Sequence, residues 1–282
     1  MANGVPLEVK DITYLDFARG EPLLALYKES IAKLGDKARQ TLDRFSLGNG
    51  NYMLGSSSFM AVQLGGLVRI ATPAELERAV GSHSDFFRNK YEDVALVLRS
   101  EGDSYAKNDF VARNLAEQVE ARLGEMPTPE KPARVSLKGM TLKEDSNSAY
   151  GLVFNIGDAE VISASEFSNA NHGKRFLKTD DKGLPIFDEQ GNRTFYARDN
   201  GLSRLYLDWN LGLRSDSGNL GSSGSGGRVP VVVTSEAGSQ RNLGYGPTMI
   251  NQALANVLER KGLAVKGLEA DLAIELKRLN GE

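Results

Sequence analysis

The chain has 282 residues, 40% hydrophobic and 25% charged, the proportions of a soluble globular protein long enough for one large or two modest domains. Lys and Arg number 34 against 37 Asp and Glu, a formal charge of −3 without a clustered basic stretch, which argues against a nucleic-acid surface or an anionic-membrane patch. With no cysteine, disulfides, thiolate metal sites and cysteine nucleophiles are excluded, and no apolar run reaches the length of a membrane span.

The opening MANGVPLEVKDITYLDF lacks the basic-then-apolar order of a signal peptide, so the expected compartment is the cytoplasm. Leu23, Leu26, Tyr27, Ile31, Leu34, Leu42 and Phe45 then follow the spacing of a buried helical stripe. Thr72-Pro73-Ala74-Glu75 carries a helix start: the Thr hydroxyl can cap free amides, Pro suits the first turn, and Glu three residues on completes a capping box. A further helix is predicted from about Ser104, with Phe110, Leu115, Val119 and Leu123 as its stripe and Gly124 as its stop. EMPTPEKPAR, residues 125–134, holds three prolines and few apolar groups, and reads as an extended connector.

From Val135 the pattern changes to short strands: VSLKGM, YGLVFNI, AEVISA, LPIF, RTFYA, LSRLYL and VPVVV, separated by Asn-, Asp- and Gly-rich breaks. LPIF-DEQGN-RTFYA has the form of a hairpin, with Gly191 and Asn192 supplying left-handed conformations. After Gln240 helical spacing returns, in Met249, Leu254, Val257 and Leu258 and then in Leu268, Leu272, Leu276 and Leu279.

The segment from Gly201 to Val233 combines two patterns. Leu205, Leu207, Leu211, Leu213 and Leu220 recur as alternating pairs that an extended backbone would bury on one face. Between them lie small, polar and aromatic residues, the composition of a binding surface in which Tyr and Trp supply rigid contact area and Ser, Gly and Asn adaptable hydrogen bonds. GSSGSGG alone resembles a flexible linker, but it is entered from leucines and left through Arg228 into VPVVV, as a long loop held between strands would be.

Signals for catalysis are weak. His83 and His172 lie far apart without neighbouring ligands at metal spacing, so no metal site is expected, and nothing calls for a cofactor. Asp180-Asp181 and Asp188-Glu189 fit no calcium loop and read as turns. The glycines around Gly224 lack the Lys-Ser/Thr ending of a phosphate loop. A hydrolase drawing on Asp180, Asp188 and Asp208 has no supporting spacing, and the chain is not expected to be an enzyme.

The runs YGLVF at 150–154, KTDDKGLPIF at 178–187 and GNRTFYAR at 191–198, with the skeleton Leu202, Leu205, Leu207, Leu211, Leu213, Ser215, Leu220, Ser223 and Gly227-Arg228-Val229, resemble the variable proteins of diversity-generating retroelements. The resemblance covers roughly residues 135–235. It implies a target of reverse-transcriptase-mediated, adenine-directed mutagenesis that rewrites chosen codons and leaves the intervening ones fixed. It also implies a C-type lectin-like domain of the formylglycine-generating-enzyme-like subtype over 135–240, with its variable region at about 201–229; with the patterns above, the chain is expected to be α+β, with a mainly helical N-terminal domain over 1–124, a Pro-rich linker at 125–134 and, as a departure from the family, a helical extension over 241–282. The diversified, ligand-binding set would be Arg204, Tyr206, Asp208, Trp209, Asn210, Arg214, Asp216, Ser217, Gly218, Asn219, Ser222, Gly224 and Gly226, on a fixed leucine scaffold. Arg204, Tyr206 and Trp209 are the expected anchors.

The ligand would be a protein or glycan surface, bound without turnover; no nucleic acid or membrane insertion is expected. A homo-oligomer would add avidity, and a phage-borne protein would be virion-associated. The second reading is an attachment or structural protein of a phage or mobile element that displays a fixed lectin-like domain.

Overall fold

A computed structural model describes residues 14–17, 20–48, 52–103 and 105–233. The chain divides into two compact units, Met1–Val233 and Thr234–Glu282. The helical extension expected over 241–282 lies outside the described residues.

The first unit is mixed α and β. Its opening part runs through β1 (Tyr14–Phe17), α1 (Glu21–Ile31), α2 (Asp36–Leu42), β2 (Ser46–Leu47), β3 (Met53–Leu54), α3 (Ser58–Gly65), α4 (Pro73–Ser82), α5 (Ser84–Phe87), β4 (Tyr91–Leu98) and α6 (Asp109–Leu123). Then follow β5 (Ala133–Ser136), β6 (Thr141–Glu144), β7 (Leu152–Asn155), β8 (Val161–Ser163), β9 (Arg175–Thr179), β10 (Pro185–Phe187), β11 (Arg193–Ala197), β12 (Leu202–Leu207), β13 (Leu213–Ser215), β14 (Gly227–Arg228) and β15 (Pro230–Val233). Among the described residues no helix is long and apolar enough to cross a membrane.

A nine-stranded sheet in the order β10-β9-β11-β13-β12-β4-β5-β8, with β14 also on β4, curls into a half-barrel. Strand β4 is its centre: it pairs antiparallel with β12 and β5 and parallel with β14. Its side chains enter all three apolar clusters. Leu96 and Leu98 pack with Leu202, Phe59 and the α6 residues Val111, Leu115 and Val119; Ala95 and Val97 pack on the other side with Phe167, Phe195, Leu205 and Leu213; Val94 joins Leu76, Phe87, Leu207 and Leu211. Each such large side chain removed from water contributes roughly 1.5–3 kcal/mol, so β4 is a principal source of stability.

This arrangement corrects the expected division at 125–134. The Pro-rich segment connects α6 to β5 inside one structure, because β4 from before it hydrogen-bonds to β5 and β12 from after it. Nor is the part before 124 clearly helical: it supplies the central strand as well as six helices.

Local signals hold where chemistry acts over a few residues. Thr72 Oγ1 accepts the Glu75 N–H at 3.2 Å and Glu75 Oε2 accepts the Thr72 N–H at 2.9 Å, completing the capping box of α4. Gly124 ends α6 at φ 76°. The expected LPIF–RTFYA hairpin is different. Strand β9 lies between β10 and β11 and pairs antiparallel with both, so the real hairpin is β9–β10, turned by Asp180, whose Oδ1 accepts the N–H groups of Lys182 and Leu184. DEQGN carries the chain around β9, where a Cβ on Gly191 would collide with the Phe176 backbone.

Candidate ligand-binding face

Alternation along β12 divides its residues between the two sheet faces. Leu205 enters the cluster with Phe195 and Leu213. Arg204 and Tyr206 point the other way, where cross-strand register sets Tyr206 beside Arg214 and Arg214 beside Tyr196. Guanidinium and aromatic groups alternate on that face. Arg204 lies 5.4 Å from the Tyr91 ring centre and 5.0 Å from that of Tyr206, and Arg214 lies 5.1 Å from that of Tyr196. The Tyr91 and Tyr206 rings meet edge to face at 6.1 Å.

The two arginines differ in depth. Arg204 is 4% exposed; its Nε and Nη2 donate to the two oxygens of buried Asp93 at 2.7 and 2.6 Å, and Ser56 Oγ donates to the same carboxylate at 2.9 Å. Burial opposes the charge on Arg204, but the Asp93 carboxylate more than offsets it and holds the guanidinium protonated. Arg214 is half-buried and lies between Asp216, reached by Nε at 3.2 Å and Nη2 at 2.6 Å, and Asp208, reached by Nη1 at 3.2 Å. Burial, the first cause, with the carboxylates of Asp216 and Asp208 pushes Tyr206 up to about 12, against the lowering influence of Arg214 and Arg204. Burial and then Asp93 raise Tyr91. Both phenols are therefore neutral near pH 7.

Residues 208–212 form the tight connection from β12 to β13. The Asp208 N–H donates to Gly212 O at 2.8 Å and the Leu211 N–H to Asp208 O at 2.8 Å. Leu211 sits at φ 70°, a conformation costly for a leucine; its buried side chain and the bond from Arg193 Nε to its carbonyl at 2.6 Å hold it there. Arg193 is itself held bidentate by Glu77 at 2.6 and 2.8 Å. The tip presents Trp209, 60% exposed, and exposed Asn210 to solvent.

From β13 the chain runs through residues 216–226 to β14, with Leu220 buried against the main core. The Arg204 N–H donates to Ser217 O at 3.1 Å, and Asn108 Nδ2 donates to Gly218 O at 2.7 Å and Leu202 O at 3.0 Å. GSSGSGG is a built loop. The Gly224 N–H donates to Tyr91 Oη at 2.7 Å, the Tyr91 N–H to Gly226 O at 3.1 Å, and the Gly55 N–H to Gly227 O at 2.8 Å. A Cβ on Gly227 would stand 2.7 Å from both Ser56 N and the Tyr91 ring, so only glycine fits.

The predicted residues therefore separate. Tyr206, Trp209, Asn210, Arg214, Asp216, Ser217, Asn219, Ser222, Gly224 and Gly226 are exposed or half-buried. Cβ atoms at Gly224 and Gly226 would meet only Tyr91 at 3.6 and 3.7 Å, so both sites have room for side chains. Arg204, expected as an anchor of the binding set, is instead a buried group, because both oxygens of buried Asp93 hold its guanidinium. Asp208 is 6% exposed and paired with Arg214. Gly218 is crowded: a Cβ there would collide with the Arg198 guanidinium. The scaffold leucines are all buried, 5% exposed or less, but in three clusters rather than on one face, since a register shift at Leu205/Tyr206 and the 208–212 turn redirect them.

Sequence reasoning missed Tyr91, Glu92, Asp93 and Tyr196. Glu92 and Asp93 point to opposite sides of β4 and each holds an arginine of the 201–233 segment: Asp93 holds Arg204, and Glu92 Oε1 accepts from Arg228 Nη2 and Nε at 2.7 and 3.1 Å. The usable signal was two acids directly before VALVL, where a solvated face would not be expected. Among the described residues no group of three or more His, Asp or Glu is placed to hold a metal ion. Of the carboxylates considered for hydrolysis, Asp180 and Asp188 accept turn N–H groups, and Asp208 pairs with Arg214.

No family model matches this chain, and neither a curated protein nor a solved structure matches it.

Proposed function

We propose that the chain is a hypervariable ligand-binding protein on a C-type lectin scaffold, a target of reverse-transcriptase-mediated mutagenesis whose diversified positions lie on the open half of the sheet face and the loops beside it. The observation that carries this reading is the division within residues 205–226. Leu205, Leu207, Leu211, Leu213 and Leu220 are buried, while most residues between them are exposed or half-buried, and Tyr206 and Arg214 among these form a cross-strand row with Tyr196. A surface can change many side chains at once only when its backbone is held by groups that do not change. Here Asp93, Glu92, Asn108 and Tyr91 supply such holds from outside the segment. The face binds rather than transforms its ligand, and a protein surface is the favoured occupant because the segment offers the aromatic groups Tyr206 and Trp209 together with a Ser/Gly loop whose positions 224 and 226 have room for side chains.

Sequencing the 3′ region of the gene in many clones of one population, with its flanking DNA, tests the reading. Substitutions at codons 206–226 matching adenines of a nearby near-identical template, beside a reverse-transcriptase gene, are the expected result. An invariant segment without a template would overturn it in favour of a fixed attachment protein. Codon 204 is expected to vary little, because an uncharged residue leaves Asp93 buried without its cation and a lysine loses the bidentate pairing.

A further inference from the structure

Two arginines on a recognition face suggest an anionic ligand such as a phosphate or an acidic peptide. Their partners argue otherwise. Arg204 is buried and both oxygens of Asp93 are bound to it; all three guanidinium nitrogens of Arg214 already donate to Asp216 and Asp208. Two arginines face three carboxylates, which leaves one negative charge in excess. An incoming anion would add charge to a face on which carboxylates already outnumber guanidiniums, beside an Arg214 whose charge two of those carboxylates offset.

The remaining chemistry favours a cation. Tyr206 and Trp209 offer aromatic surface whose faces carry negative potential, and the Tyr206 phenol stays neutral. The protein's own guanidiniums already adopt the packing such a group would use: Arg204 over Tyr91 and Tyr206, Arg214 over Tyr196. We propose that the open half of this face receives a cationic side chain, an arginine or lysine of a protein partner, at half-buried Tyr206 and the turn that carries exposed Trp209, with half-buried Asp216 as its counter-charge. This rests on the binding role proposed above, and assigns that site a chemical class of partner.

Trp209 is the only tryptophan in the chain, so its fluorescence reports on the 208–212 turn directly. The full chain is titrated with a capped tetra-arginine peptide and, separately, a capped tetra-glutamate peptide. A saturable change with tetra-arginine and none with tetra-glutamate is expected. Asp216→Asn, nearly isosteric, should weaken tetra-arginine binding at least tenfold. Arg214→Gln should tighten it severalfold, since it releases two carboxylates from their internal cation; Glu130→Gln, which removes the same charge as Asp216→Asn from an exposed position before β5, should leave binding unchanged, whereas nonspecific attraction to a protein of net charge −3 would weaken it equally. An equal response to tetra-glutamate, no response to either peptide, or unchanged binding in Asp216→Asn with an unaltered melting temperature would overturn the proposal. The clone sequencing described above separates the two claims: codon variation without a tetra-arginine response removes the cationic preference and leaves the diversified surface, and the reverse result does the opposite.

Discussion

Arg204 and Arg214 occupy the same face of the same sheet, each touching a tyrosine ring and a carboxylate, yet they serve different ends. Arg204 is buried, held by Asp93 of β4, to which Ser56 from the turn before α3 also donates; Arg214 is half-buried and held by Asp208 and Asp216 of its own segment. In the covered half an ion pair is part of the framework, and losing one partner strands the other charge out of water. In the open half solvent substitutes for a lost partner. Residue type does not separate a binding group from a framework group; depth and the origin of the partner do.

The largest expected effect breaks the covered half. Asp93→Ala should cost about 3–5 kcal/mol, a fall in melting temperature on the order of 10 °C. A smaller loss than that of Asp216→Ala would invert the comparison. Glu92, on the opposite side of β4, extends it to pH. Burial raises its carboxyl to about 7, only partly offset by Arg228. Because this folded-state value lies above the ordinary carboxylate range, the folded protein holds a proton that the unfolded chain lacks as pH falls from about 7 toward 4.5, and stability rises across that window by up to about 3 kcal/mol. Glu92→Gln should flatten this rise in chemical denaturation series; an unchanged slope would show that Glu92 is not its source.

Gly227→Ala, which forces a Cβ against Ser56 and Tyr91, should cost about 1–3 kcal/mol and loosen the 222–226 loop, measured by faster amide exchange at Gly224. In the open half, Asp216→Ala should cost only about 0.2–1 kcal/mol by thermal melting. Trp209→Ala should change stability by less than about 0.5 kcal/mol while abolishing capture of any ligand selected on this face. A large stability loss there would place Trp209 in the framework.

Strand β4 shows why half of the fold was hard to read. YEDVALVL has neither the alternation of a half-buried strand nor the spacing of a helix, since a central strand is apolar on both sides, and its two acids look like solvent-facing groups. Without β4 as a link, the stretch before Glu125 reads as a helical domain of its own. The hairpin failed for a related reason: LPIF and RTFYA are both strands, but β9 (RFLKT), a mostly exposed strand with one buried side chain, lies between them. On the face itself, the leucines and the exposed side chains were legible, since burial and alternation act along one strand.

By itself the sequence determined what is decided within a few residues: the capping box from Thr72 to Glu75, the Gly124 stop, the turns at Asp180 and Asp188, and the buried leucines of 205–220. Only the tertiary structure decided which arginine is framework and which is surface. Asp93 and Arg204 are 111 positions apart, as Glu92 and Arg228 are 136, and a charge is stabilised or stranded by whatever the fold brings within about 3 Å of it, which no local pattern records.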